Sequence, residues 1–190
     1  MFARLGAWQL GDSPNWASVS ESEAIDLVHR ALDLGVNFFD TAPNYANTAS
    51  ERMLGDALQG KRNGVVLVSK FGHTPEGPLK FTVDWFWESL EASLARLRTD
   101  YLDVLLLHNP PPEMYAGTDP LWEALERARA QGTIRHYGAS LDLAAEVESC
   151  LANTNSEVLE VLFNVFHQDV RRSFPAVREH GAGIIAKVPL

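Results

Sequence analysis

An α/β fold with a parallel sheet is predicted by three features of the 190-residue sequence. Short apolar, β-branched runs alternate with helical segments almost throughout. Several of those runs, such as GVVLVSKF and YLDVLLLHN, are apolar at successive positions, as suits strands covered on both faces. No long linker or low-complexity stretch interrupts the alternation.

The elements follow in order. Phe2 to Leu10 is the first strand candidate. SESEAIDLVHRALDLG is a helix, with Ser20 and Glu23 forming a capping box, Ile25, Val28 and Leu32 forming an apolar stripe, and Gly35 ending it. VNFFD is the second strand, Ser50 to Leu58 a helix and GVVLVSKF the third strand. Thr82 to Leu97 is a long helix with Phe86, Leu90, Leu94 and Leu97 on one face. YLDVLLLHN, TIRHYGAS, LEVLFNVF and GIIAKVPL are the remaining strands. Helices at Asp119 to Ala130, Asp142 to Leu151 and Asp169 to His180 connect them. This gives seven strands and six helices.

Composition narrows the function classes. A net charge of -9 argues against nucleic acid, whose backbone calls for a basic face. It does not exclude an anionic cofactor held by a few local donors. The single cysteine, Cys150, rules out a disulfide within the chain and fits a reducing compartment. No run approaches the ~20 apolar residues of a membrane span. MFARLGAWQL lacks the basic and apolar regions of a secretory signal. A soluble cytoplasmic protein is expected.

Two architectures compete, a doubly wound open sheet and an eight-stranded (β/α)₈ barrel that stops before its last strand. The glycines of GAWQLG and GDALQGKRNG do not match G-x-G-x-x-G, so a dinucleotide half-domain has no positive signal. Asp40, Lys70, His108 and Ser140 all lie at or just beyond strand ends. That distribution favours the barrel.

Asp40, Tyr45, Lys70 and His108 make one chemical set if their strand ends converge. A free phenol titrates near ~10 and is a poor acid at neutral pH. A lysine cation beside it lowers the cost of tyrosinate, and Asp40 can hold that lysine in place. His108 can orient a substrate oxygen. Each residue also has a plain structural role open to it: a loop cap, a hydrophobic edge, a solvent contact, a structural hydrogen bond.

With these residues in view, the sequence resembles the aldo-keto reductase family. NFFDTAPNYANTASERMLGDAL is the most specific segment, and GAWQLG, VLVSKFG, YLDVLLLHNP, GTIRHYGAS and GIIAKVPL resemble family segments in order. The resemblance implies a single (β/α)₈ TIM barrel domain over residues 1–190, incomplete at its C-terminal end. It implies hydride transfer between NADPH or NADH and an aldehyde or ketone, with Tyr45 as general acid, Lys70 as its activating cation, Asp40 as the lysine's partner and His108 as substrate orienter.

Three positions depart from the family pattern. Ser140 is followed by Leu141 where asparagine is common. Glu160 stands where a glutamine contacts the nicotinamide carboxamide. Lys187 stands where an aromatic residue stacks on the nicotinamide. Ser140, Glu160 and Lys187 are the expected cofactor contacts.

Asp12 and Trp16 are expected in the first substrate loop. Trp85 and Trp87 are expected to pack on an outer helix, and Asn109 with the following prolines to shape a loop. His29, His136 and His180 have no metal-ligand spacing, so no metal is expected. The expected partners are a small carbonyl substrate and, for a monomer or weak homo-oligomer, a possible complementing polypeptide, but neither nucleic acid nor membrane. A non-catalytic cofactor sensor and an inactive truncated remnant are the rival functions.

Overall fold

A computed structural model describes residues 4–12 and 17–189. Seven strands among them form one sheet in sequence order, every neighbouring pair parallel. They are β1 (Leu5–Gly6), β2 (Phe38–Asp40), β3 (Val66–Phe71), β4 (Leu102–His108), β5 (Ile134–Leu141), β6 (Val158–Leu162) and β7 (Gly183–Lys187). Six α-helices alternate with them: α1 (Glu21–Asp33), α2 (Ala49–Ala57), α3 (Val83–Leu97), α4 (Pro120–Ala130), α5 (Ala144–Asn153) and α6 (Phe174–His180). Sequential parallel order is that of a (β/α)₈ barrel lacking its last unit. A doubly wound sheet would reverse direction at a switch point.

Local chemistry sets the helix starts. The Ser20–Glu23 capping box opens α1, and the Thr82 hydroxyl accepts from Trp85 N to open α3. Asp119 accepts from Leu121 N ahead of Pro120, which suits the first helical position of α4. The α5 start is capped from downstream, where Asp169 Oδ2 accepts from Ala144 N at 2.8 Å.

Strand residues alternate between two packing layers. Phe39, Leu67, Leu105, Leu107, Ala139, Leu159 and Val161 join the main core beneath the helices. Val68, Val104, Leu106 and Ile185 form a second cluster inside the sheet, with Phe38, Val66 and Val158 packed against it. A Cβ on Gly138 would collide with Val158 O of β6, so only glycine lets these two strands approach as they do.

Two expected strands, β1 and β6, fall furthest short of their apolar runs. Ala7–Gln9 form a 3₁₀ turn directly after β1, while Phe2 lies outside the described residues. β6 ends at Leu162 because Asn164 Oδ1 accepts from Phe166 N and His167 N, closing a turn. Val165 and Phe166 are consequently 76% and 90% exposed instead of continuing the strand. The expected helix from Asp169 divides into a 3₁₀ segment, Asp169–Ser173, and α6.

Cys150 is buried with its thiol against Thr154 and Ser156, as expected of an ordinary core cysteine. Trp85 and Trp87 pack on the core from α3. No helix among the described residues is long and apolar enough to cross a membrane.

Candidate active site

The inward parity that carries Val68, Leu106 and Ile185 also carries the polar residues one step nearer the strand exits. Lys70 is two residues beyond Val68, His108 two beyond Leu106 and Lys187 two beyond Ile185. Asp40 is two beyond Phe38, and Glu160 two beyond Val158. The register places Ser140 opposite both His108 and Glu160. A strand period of two therefore turns an apolar floor into a polar upper layer without changing side-chain direction.

Lys70 is 1% exposed and donates to Asp40 Oδ1 and, at 3.1 Å, to Thr41 O. Its ammonium lies 5.1 Å from the centroid of the Tyr45 ring. The Tyr45 ring meets the His108 ring edge to face at 6.0 Å and lies 6.3 Å from Trp8. Asp40, Tyr45, Lys70 and His108 are thus brought together.

The loop holding Tyr45 is fastened on both sides. Ser50 Oγ donates to Ala7 O at 2.7 Å and lies 2.8 Å from Thr41 Oγ1. Between Tyr45 and α2, three consecutive non-glycine residues, Ala46, Asn47 and Thr48, have φ of 48°, 48° and 72°. Left-handed backbone costs such residues roughly 1–2 kcal/mol each. The run turns the chain sharply from the phenol into α2.

The electrostatics follow from burial and proximity. Burial works against the Lys70 ammonium, yet Asp40 and Glu160 hold it well above its ordinary value. Burial raises the Asp40 carboxyl, with Lys70 opposing and Glu160 adding to the rise. For Glu160 burial is outweighed by Lys70, a hydrogen bond with Asp40, and Arg4, so its carboxyl is held below the usual range. The Tyr45 phenol lies above its ordinary value, because burial outweighs the downward pull of Lys70, and Asp40 and Glu160 add to the rise. Burial, helped by Lys70 and His73, keeps His108 neutral far below its ordinary 6.5.

The expected cofactor contacts lie at the exits of β5, β6 and β7. Lys187 Nζ donates to Ser140 Oγ at 2.9 Å and to Asn109 Oδ1 at 3.1 Å, and pairs with Asp142 Oδ1 at 2.8 Å. Glu160 faces inward, 3.2 Å from Arg4 and 3.7 Å from Lys70. A cleft of about 750 Å³ flanks the Tyr45 loop and is bordered by Trp8, Asp12, Asn44 and Arg52. Trp16 lies outside the described residues.

Several participants escaped the sequence reading. Arg4 donates to Asp40, Glu160 and Ala186 O. Its position two before Gly6 in β1 gave it the inward parity. Glu51 is fully buried in α2, accepting from Ser69 Oγ of β3 and Arg96 Nε of α3, both at 2.6 Å. His73 packs edge to face on His108 at 4.7 Å. His108 Nδ1 is buried and, among the described residues, has no hydrogen-bond partner. No group of His, Cys, Asp and Glu among the described residues is arranged to hold a metal ion.

Residues 4–190 match the Aldo/keto reductase family. The chain is 32% identical over 200 residues to an L-galactose dehydrogenase of Arabidopsis thaliana, covering 97% of this chain and 60% of that protein. The holo form of an aldo-keto reductase from Bacillus halodurans superposes with a TM-score of 0.82 at 28% identity, over 95% of this chain and 59% of that one. An aldo/keto reductase from Klebsiella pneumoniae in complex with NADP and acetate gives 0.76 at 28% identity, over 96% and 62%. The chain spans about three fifths of the length of these relatives. Matched along nearly its whole length in both sequence and fold, it belongs to the aldo/keto reductase family.

Proposed function

We propose that the protein to which this chain belongs is an NAD(P)H-dependent oxidoreductase that reduces an aldehyde or ketone to an alcohol. The observation that carries this reading is the convergence of Tyr45, Lys70, Asp40 and His108 at adjacent strand exits. Tyr45 is the general acid. As the carbonyl carbon gains a hydride, the phenol proton passes to the carbonyl oxygen, giving the alcohol and leaving tyrosinate. Lys70 stabilises that anion, and Asp40 and Thr41 O fix the lysine. His108, held neutral, orients the substrate oxygen.

The nicotinamide cofactor, NADPH or NADH, supplies the hydride when bound. The hydroxyl, amide and ammonium groups gathered at Ser140, Asn109 and Lys187 suit a carboxamide, which needs both donor and acceptor. Ser140, Glu160 and Lys187 would hold that end of the cofactor. The NADP complex of the Klebsiella pneumoniae relative supports a nicotinamide cofactor.

A second reading, a cofactor-binding sensor without turnover, is favoured by one observation. The Lys187 ammonium already has three acceptors within the chain. In either reading the protein acts as a cytoplasmic monomer or weak homo-oligomer. A complementing segment or polypeptide covers the edge of β7, whose ladder partner among the described residues is β6 alone.

The test is a fluorescence titration with NADPH and NADH, followed by aldehyde turnover with and without Tyr45→Phe. Saturable binding with turnover lost in Tyr45→Phe supports the reductase. Binding without turnover of varied aldehydes selects the sensor. Unchanged turnover in Tyr45→Phe removes the phenol from the reaction.

A further inference from the structure

Four ionisable side chains meet at one level inside the sheet. Arg4 Nη1 donates to Asp40 Oδ2 at 2.9 Å and to Glu160 Oε1 at 3.2 Å, and Arg4 Nη2 donates to Ala186 O at 2.5 Å. Lys70 Nζ pairs with Asp40 Oδ1 and lies 3.7 Å from Glu160 Oε2. Each cation therefore contacts both carboxyl groups. Asp40 and Lys70 alone would balance. Glu160 adds a second acid to a site where both carboxyl side chains are less than a tenth exposed. An uncompensated buried carboxylate is strongly unfavourable, and Arg4 supplies the matching positive charge.

We propose that Arg4 and Glu160 are a positioning pair that sets the acidity of Tyr45 through Lys70 and Asp40. This rests on the reading of Tyr45 as the proton donor. The pair works by opposed fields. Glu160 stabilises the Lys70 cation but opposes tyrosinate, whereas Arg4 offsets the negative field of both carboxyl groups. The guanidinium also fixes geometry. Its Nη1 holds one Asp40 oxygen while Lys70 holds the other, and its Nη2 is anchored on Ala186 O, so Asp40 is restrained beside the lysine.

The charged and titratable groups around the phenol leave this effect readable. Lys70 approaches from β3, Asp40 from β2, Glu160 from β6 and His108 from β4. His73 packs behind His108, and Lys187 of β7 is held by Asp142 at the rim. His108 stays neutral above acidic pH, so it contributes no change in charge during an alkaline titration.

The proposal predicts shifts of opposite sign, which a merely structural role would not produce. Tyr45 ionisation is read as the ultraviolet tyrosinate signal of the protein minus that of its Tyr45→Phe counterpart. The backgrounds are the unaltered chain, Glu160→Gln, Arg4→Met and the double variant. Glu160→Gln is expected to move the titration to lower pH, and Arg4→Met to higher pH. The double variant returns close to the unaltered chain. Arg4→Lys, keeping charge without the fork, restores part of the Arg4→Met shift.

Should Arg4→Met fail to fold, Glu160→Gln and the double variant still decide the matter. A downward shift in the first that the second cancels supports the pair. Shifts of the same sign, or no shift in Glu160→Gln, overturn it. The readout requires neither cofactor nor turnover. A failure of the reading of Tyr45 as proton donor would therefore show separately, as full carbonyl reduction in Tyr45→Phe.

Discussion

Lys187 of β7 donates to Ser140 Oγ of β5 at 2.9 Å, spanning the intervening strand β6. The same ammonium holds Asn109 after β4 and Asp142 after β5. One side chain therefore ties together three strand exits.

Replacing Lys187 with Met is expected to lower stability by about 1 kcal/mol, the scale of a partly solvated hydrogen bond to a charged group. Ser140→Ala should cost a similar amount. The double variant should cost less than the two singles added together, because both remove one shared contact. Urea unfolding of the four proteins checks the coupling. Strict additivity would mean that the contact contributes nothing.

Removing Lys70 leaves Asp40 and Glu160 with Arg4 as their cation. Lys70→Met is expected to destabilise by roughly 3–5 kcal/mol, the cost of stranding a buried charge. Adding Asp40→Asn should recover much of it. The loss should also be smaller at pH 5 than at pH 8. Carboxyl groups raised by the missing lysine favour folding while protonated, and that contribution disappears as pH rises through their folded values. Thermal melts at the two pH values test the sign.

His108 gives the opposite slope. Its folded value is depressed by burial from an ordinary 6.5. Between those values the unfolded chain binds a proton that the folded chain does not, so His108 contributes stability above pH 6.5 that is lost as pH falls. The slope for one such group reaches about 1.4 kcal/mol per pH unit. His108→Phe should flatten the decline between pH 7 and pH 5 relative to the unaltered protein. Parallel stability curves would contradict this.

Ala46→Gly and Thr48→Gly should each stabilise the chain or leave it unchanged, by up to about 1 kcal/mol, since glycine adopts positive φ without the Cβ clash. Thr48→Gly should gain less, because Thr48 Oγ1 accepts from Arg52. Differential scanning calorimetry distinguishes these from the usual destabilisation on introducing glycine.

Element order was legible because its signals are local. The Ser20–Glu23 box, Thr82 and Asp119 mark helix starts within four residues of what they cap. The placement of Asp40, Lys70 and His108 at strand ends likewise anticipated that they would meet. The errors arose where a side chain redirected an apolar run. Asn164 closes a turn inside LEVLFNVF, and the chain turns at Ala7 after only two residues of β1.

Arg4 and Glu51 were missed for a different reason. Arg4 is 36 residues from Asp40 and 156 from Glu160, and Glu51 is 45 from Arg96. No local pattern links partners at such separations. Glu51 also reads as an ordinary polar residue of a helix, whereas its carboxylate joins α2 to β3 and α3.

The left-handed run from Ala46 to Thr48 gives the loop a fixed gauge. Ser50 is bolted to Ala7 and Thr41, so the path back to Tyr45 has a set length and a set rotation. One residue inserted between them would swing the phenol around the chain axis, away from Lys70, while leaving every strand in register. The reach of the phenol is thus written in the arc length of a loop, and a change of length there would part Tyr45 from Lys70 without disturbing the sheet.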